Sequence, residues 1–509
     1  MTVIDDRDLW SLVERRAALT PDRVLVVDEH DREVTFGEFR DLAARAAAGL
    51  YTGGVRQGTR VLWMLPTWIE SLVVSAALAR LAAVQVPLIP VYREREIGFI
   101  ARQCAAPVLL VPRVWRGIDY VELASTATAT MDEPPRLIVV DRSLPDGDPA
   151  TLPAPPPTSS RTDLRWIFYT SGTTSDPKGA KHSDATIAAS SWGMIEPWRL
   201  TDDDVMTLIF PYAHIGGPSL LIISLMAGNQ LVIAETFDRR VVIDSLMRNG
   251  VTLAGSGPAF WRTYIDEQQQ HKDRLFPRMR LLIGGGAAKP ANMQRDAREV
   301  LGVDVVSGYG LTECPALVLN HAGDPDDVLA TDGRTMVGAE MRIVGLDGVV
   351  ADADEEGEIQ VRGDMLFLGY LDESLDADAL TDDQWLSTGD LGRMDARGQL
   401  TVTGRLKDVI IRKGENISAK EVEDVLVHLS GVRDVAVIGL PDDERGERCC
   451  AVVVPANPDC PPTLADVVAH CIASGLMRQK IPEQIEVVDT LPYNSTGKVL
   501  KADLRKRYQ

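Results

Sequence analysis

The chain reads as an α/β protein built in several parts, on three observations. Short apolar segments with strand character alternate with longer segments of helical period through the first three hundred residues, the pattern of parallel sheets covered by helices. A Pro/Ser/Thr-rich stretch at 145–162 divides that alternation into two blocks. Beyond residue 337 the rhythm changes, first to short strands separated by Gly and Asp turns and then, after Gly404, to a separate run of βαβ character.

In the first block, residues 24–27, 60–65, 107–111 and 136–140 have strand character, and 36–50, 69–81 and 94–103 have helical character. The second block runs from Trp166 to about Gly310. Residues 337–361 and 398–402 form a small β subdomain. The expected architecture is therefore a large N-terminal domain, 1–403, of two parallel-sheet α/β subdomains plus a small β subdomain, followed by a small α+β C-terminal domain, 404–509. A chain of 509 residues exceeds the size at which one hydrophobic core stops growing, which agrees with this division.

Composition narrows the function classes. Lys and Arg total 53 against 74 Asp and Glu, a formal net charge of −21, which argues against nucleic acid or an anionic membrane as partner. An anionic substrate must be caught by local groups. The six cysteines have no metal-ligand spacing, and adjacent Cys449 and Cys450 suit a buried strand, so reduced thiols and a cytoplasmic enzyme are expected. The acidic N-terminus lacks a signal-peptide pattern, and the apolar runs at 72–81 and 218–226 are too short to span a bilayer and read as core helices.

Residues 164–168 read as a short buried strand. The run after it, Tyr169-Thr-Ser-Gly-Thr-Thr-Ser-Asp-Pro-Lys-Gly179, concentrates hydroxyls, glycines and a lysine. Thr170, Ser171, Gly172, Thr173 and Thr174 would leave the strand with free N–H groups and hydroxyls, the makings of an anion-binding loop. Pro177 and Gly179 are expected to exclude a regular helix or strand there. A flexible surface linker has the same composition. A Walker loop is rejected, because Pro177 and Gly179 stand where that motif needs Gly before the lysine and Ser or Thr after it.

Five more stretches carry chemistry-bearing residues. Ser307-Gly-Tyr-Gly-Leu-Thr-Glu313 follows an apolar strand, and its plain reading is a strand-to-helix turn in which Thr312 or Glu313 caps the next helix. Gly284-Gly-Gly-Ala-Ala-Lys-Pro290 would let a flat ligand lie against bare backbone, or is a loose turn. Trp385-Leu-Ser-Thr-Gly-Asp390 ends in a Gly-Asp pair that is usually a turn, and 404–418 is a basic stretch flanking an apolar strand, by default a hairpin. Pro492-Tyr-Asn-Ser-Thr-Gly-Lys498 places a lysine near the C-terminus, by default a solvated one.

Each stretch occurs once and in a fixed order, with Val34-Thr-Phe-Gly-Glu-Phe-Arg40 and the segment 81–90 ahead of them. Together, across about Thr35 to Lys501, they resemble the motif set of the adenylate-forming superfamily, which comprises acyl-CoA synthetases, carrier-protein adenylation domains and beetle luciferases. The match is to the acyl-CoA synthetase, or fatty-acid–CoA ligase, branch.

The resemblance implies an acid–thiol ligase that uses ATP, Mg2+ and coenzyme A. Thr170, Ser171, Gly172, Thr173, Thr174 and Lys178 would hold the β and γ phosphates, and Gly286 and Ala287 would wall the adenine and acyl pockets. Tyr309 would face adenine, Thr312 a phosphate, and Glu313 Mg2+. Asp390 would grip the ribose hydroxyls, Arg405 the nucleotide, and Gly414 would belong to the CoA-binding conformation. Lys498 would bridge the carboxylate and the α-phosphate, leaving the site when a mobile C-terminal domain turns about Lys407. His214, in Pro211-Tyr-Ala-His-Ile-Gly-Gly217, is a candidate acyl gate, with a buried structural histidine as the alternative; Trp192 and residues 255–260 are further pocket candidates. Paired small residues near bulky aromatics suit a compact or alicyclic acid.

One position departs from the pattern. Ser175 stands where most of the family has Gly; a Cβ and hydroxyl there restrict positive-φ conformations and would bring bulk toward the β or γ phosphate. A neutral change is expected; the alternative is a weak adenylation half-reaction. With no carrier or condensation-like domain beside it, the chain is expected to act as a stand-alone ligase, with a carrier protein as the alternative acceptor and a catalytically silent nucleotide-binding homologue as a third reading.

Overall fold

The computed structural model describes residues 2–170, 177–287, 289–290, 292–345, 347–412, 415–442, 444–493 and 499–509. The first block forms a six-stranded sheet in the order Gly179–His182, Trp166–Tyr169, Val84–Pro87, Arg60–Trp63, Val108–Val111, Arg136–Val139. Its strands are parallel except the first, which pairs antiparallel with Trp166–Tyr169. Every residue of the helix Ile69–Arg80 is buried, and Gly216–Ala227 is buried along almost its whole length. Helices apolar on all sides belong inside a layered structure, and both join the largest hydrophobic core.

The second sheet has thirteen strands. Its parallel part runs Val24–Val27, Gln230–Ile233, Val205–Leu208, Leu253–Ala254, Leu281–Gly285, Asp304–Leu311. The strand Val24–Val27, which sequence order groups with the first block, sits here beside Gln230–Ile233, so the N-terminal segment closes the second sheet. After Leu311 the chain doubles back into Cys314–Leu319, and the same sheet continues antiparallel through Gly333–Thr335, Gln399–Arg405, Leu386–Met394, Gly357–Gly363 and Ala339–Val344. The small β region is thus joined to the parallel sheet by backbone hydrogen bonds, and Asp304–Leu311 is the seam.

Residues beyond Gln399–Arg405 build a five-stranded sheet of Glu415–Ser418, Val409–Arg412, Gly446–Pro455, Val432–Asp442 and Gln484–Val487, with helices Ala419–Leu426 and Leu464–Ala473. Cys449 and Cys450 are buried on its opposite faces, as the period of two in a strand requires, and all six cysteines are free. Among the described residues no helix is long and apolar enough to cross a membrane.

Candidate active site

Trp166–Tyr169 and Gly179–His182 pair as an antiparallel hairpin, with the two ends of the polar run at its neck. Thr170 N donates to the Lys178 carbonyl at 3.0 Å, and Lys178 N donates to Thr170 Oγ1 at 3.4 Å, so these two residues close its neck. Gly179 does not exclude a strand, as the sequence suggested, but begins one, paired with Tyr169. A Cβ there would lie 3.1 Å from both Ile167 Cγ2 and Tyr169 Cζ, a close approach that glycine avoids. Ser171, Gly172, Thr173, Thr174 and Ser175 lie outside the described residues.

The free edge of Gly179–His182 carries a segment that sequence reasoning missed. Lys181 N donates to Gly369 O at 3.0 Å and Leu371 N to Gly179 O at 2.7 Å, bringing Tyr370 alongside the loop's neck. The Lys178 ammonium sits 5.1 Å from the centre of the Tyr370 ring, and the Tyr370 hydroxyl donates to Glu313 Oε1 at 2.6 Å. Burial, and then the Glu313 carboxylate, push the phenol's pKa far above its ordinary value, so it stays a proton donor. A lone Tyr in Phe367-Leu-Gly-Tyr370 offers no polar pattern by which to find it.

Ser307–Glu313 is not the strand-to-helix turn of the plain reading. Asp304–Leu311 runs through the two glycines and turns at Thr312 and Glu313 into Cys314–Leu319. The glycines serve close approach: a Cβ would fall 2.4 Å from Val318 O at Gly308 and 2.3 Å from Pro315 O at Gly310. The turn is pinned from the neighbouring hairpin. His182 Nε2 lies 2.8 Å from the Thr312 carbonyl, which can only accept, so Nε2 carries the proton and Nδ1 faces Thr186 Oγ1 at 2.9 Å. Complete burial pushes the His182 pKa down to about 4, keeping the ring neutral. On the other side, Phe367 N donates to Glu313 O at 2.8 Å.

Glu313 is thereby a buried carboxylate anchored at one oxygen by Tyr370, the residue whose ring faces the Lys178 ammonium. Mg2+ at nucleotide sites is held by one or two carboxylates with phosphate oxygens and water, and this donor set fits it.

A second cluster forms on the same strand. The Tyr309 hydroxyl donates to Asp390 Oδ2 at 2.7 Å, and Arg405 Nε lies 2.7 Å from Asp390 Oδ1. Asp390 and Arg405 are directly paired across their strands, which sets this contact by register. Alongside, Gly285 pairs with Gly308, so Gly286 and Ala287 leave their strand next to Tyr309. Gly286 has φ +79°, a left-handed conformation that Gly adopts without strain. Lys407 follows in the short turn Leu406–Asp408, and Ser418 Oγ reaches back to Thr403 O at 2.7 Å, tying the C-terminal sheet to the long one. Gly414 and Lys498 lie outside the described residues.

His214 is held by its own loop. Its Nδ1 accepts from Gly216 N at 3.2 Å at the start of Gly216–Ala227, and its ring stands edge-on to Phe210 at 6.1 Å. Burial lowers its pKa to about 4. A neutral imidazole whose Nδ1 caps its own loop suits a pocket wall better than a proton carrier. Trp192 is half-buried on Asp184–Ile195, where a Cβ at neighbouring Gly193 would meet Met336 Cε at 2.3 Å.

Residues 13–371 match the family model of the AMP-binding enzymes, and residues 421–498 match that of the AMP-binding enzyme C-terminal domain. The chain belongs to the AMP-binding enzymes. It is 30% identical over 518 residues to the medium-chain fatty-acid–CoA ligase of Escherichia coli (strain K12), covering 98% of this chain and 89% of that protein. It is 32% identical over 524 residues to a "Salicyl-AMP ligase / salicyl-S-ArCP synthetase" of Mycobacterium tuberculosis, covering 97% and 90%. The crystal structure of ATP-bound MatB from Rhodopseudomonas palustris superposes with a TM-score of 0.88 at 27% identity, covering 99% of each chain. This AMP-binding enzyme is a ligase of the acyl-CoA synthetase branch of the adenylate-forming superfamily.

Proposed function

We propose that the enzyme activates a free carboxylic acid with ATP as an acyl-adenylate, releasing pyrophosphate, and transfers the acyl group to CoA, releasing AMP. The observation that carries this reading is that residues from distant stretches of the chain meet in two clusters, Lys178 and Glu313 on Tyr370, and Asp390 with Arg405 and Tyr309, with Tyr309 only four residues before Glu313.

A carboxylate is a poor electrophile because its leaving group would be oxide. Attack on the α-phosphate makes that oxygen part of an AMP leaving group, but brings two anions together. The loop 170–178, with Lys178, receives the β and γ phosphates. Tyr309, Gly286 and Ala287 flank the adenine. Asp390 accepts from the ribose hydroxyls, and Arg405 completes the nucleotide site. Thr312 reaches a phosphate. Glu313 holds Mg2+, which screens the phosphate charge. Lys498 bridges the carboxylate and the α-phosphate, stabilising the charge that builds there.

The domain 404–509 turns about Lys407, withdraws Lys498, and brings the turn at Gly414 to the CoA thiol. His214 and Trp192 line the acyl end, with room for a compact or alicyclic acid. The reaction runs in the cytoplasm, in keeping with six free cysteines. The relative described as a salicyl-S-ArCP synthetase favours one alternative acceptor, a carrier-protein thiol.

The test is product analysis with ATP, Mg2+, CoA and a panel of aliphatic, alicyclic and aromatic acids, following pyrophosphate and AMP separately. Acyl-CoA formed with both products is expected. Pyrophosphate release without acyl-CoA points to a carrier protein, and thioester made only from supplied acyl-adenylate points to a defective adenylation half. No product under any of these conditions overturns the reading.

A further inference from the structure

We infer that Tyr370 is a positioning residue for adenylation, tying the Glu313 carboxylate to Lys178 so that Mg2+ and the polyphosphate of ATP are received as one unit. The inference rests on the proposed role of Glu313 toward Mg2+.

Three observations converge on this side chain. The segment carrying it is fixed from both sides: Leu368 N donates to Lys181 O at 2.7 Å, Leu371 N to Gly179 O at 2.7 Å, and Phe367 N to Glu313 O at 2.8 Å. Tyr370 N donates to Asp376 Oδ1 at 2.7 Å. The ring packs edge-on against Phe367 at 4.9 Å, so it has little rotational freedom. Finally, its two polar features serve two different elements. The hydroxyl takes Glu313 Oε1 at 2.6 Å, while the π-face receives the Lys178 ammonium at 5.1 Å.

A buried hydroxyl that only needed a partner would be satisfied by any acceptor. Here it takes the carboxylate assigned to the metal, and the same ring steadies the lysine assigned to the phosphates. Holding one carboxylate oxygen fixes the plane in which the other is presented. The hydrogen bond also spreads part of the negative charge that would otherwise confront the phosphates. The backbone of the Thr312–Glu313 turn has an independent anchor in His182, so removing the phenol hydroxyl releases the carboxylate without releasing the turn.

The experiment uses the full-length enzyme and Tyr370→Phe, which keeps the ring. Calorimetry measures ATP binding with saturating Mg2+ and with chelator, and AMP binding, alongside thermal melting. The expected result is a loss of roughly tenfold in affinity for ATP with Mg2+, as for removal of an outer partner of a metal ligand. ATP binding in chelator and AMP binding should stay near wild type, while the melting temperature should fall modestly, because a buried carboxylate loses its donor. Unchanged binding of ATP with Mg2+ overturns the inference, and so does a parallel loss of AMP affinity, which would make Tyr370 merely structural. Glu313→Gln, measured the same way, separates the two layers. If it keeps the enhancement of ATP binding by Mg2+, the reading of Glu313 fails and takes the Tyr370 inference with it; if it abolishes the enhancement while Tyr370→Phe retains it, only the inference fails.

Discussion

The Tyr309 hydroxyl donates to Asp390 Oδ2 at 2.7 Å, joining the seam strand of the long sheet to its antiparallel half at the proposed nucleotide site. Asp390 is buried, so it depends on this donor and on Arg405. Tyr309→Phe keeps the ring surface and removes the donor. The expected cost is about 1–3 kcal/mol, that of depriving a buried charged acceptor of a partner, and it should appear both in AMP affinity and in unfolding free energy. Calorimetry with AMP and denaturant unfolding of the same preparation check it; a variant equal to wild type in both would show that Arg405 alone sustains Asp390.

The glycines of the site fall into two kinds that one substitution tells apart. At Gly285 an added Cβ would lie 2.4 Å from Gly308 O, so Gly285→Ala must spread two paired strands. At Gly286 nothing lies within 4 Å, but φ is +79°. Gly286→Ala should therefore cost only about 1–2 kcal/mol of backbone strain and yield soluble, nucleotide-binding enzyme. Gly285→Ala should be the more damaging of the pair. Soluble yield and thermal melting of both variants settle the order.

Much of the architecture was legible because it is local. Alternating patterns marked the two sheets, and the buried strand at Trp166 announced the polar loop. What escaped was set by partners far apart in the chain. The strand Val24–Val27 reads like its sequence neighbours yet pairs with Gln230–Ile233, a choice made by tertiary packing. The two glycines in Ser307–Glu313 looked like turn residues because positive φ is their commonest use. In the structure they sit inside a strand and admit a neighbouring backbone. Tyr370 and His182 carry no local signal at all, since their roles exist only once Glu313 and Thr312 are brought beside them.

Lys498→Ala should separate the half-reactions. The proposed role places its ammonium on charge that builds only during adenylation, so ATP–pyrophosphate exchange should fall by about a hundredfold or more. Thioester formation from supplied acyl-adenylate and CoA should stay near wild type. Equal loss in both assays would instead make Lys498 a general structural or binding group.

Acid stability should report the His182 anchor. Its ring is neutral in the folded enzyme, with the pKa lowered to about 4 by burial, whereas an exposed histidine in the unfolded chain titrates near 6.5. Between these values the unfolded chain binds the proton and the folded one does not, so stability falls as pH drops from about 6.5 toward 4, by up to about 3 kcal/mol from this residue. His214 contributes in the same direction, while buried Asp184, its pKa raised to about 6, holds its proton better when folded and acts in the opposite one. Both remain in His182→Gln, so they cancel in the comparison. The glutamine amide keeps a donor for the Thr312 carbonyl but does not titrate. Its unfolding free energy should therefore depend less steeply on pH across this window than that of the wild type, even if it is lower at neutral pH. Parallel slopes from denaturant titrations at several pH values would mean that His182 is already reached by solvent protons in the folded state.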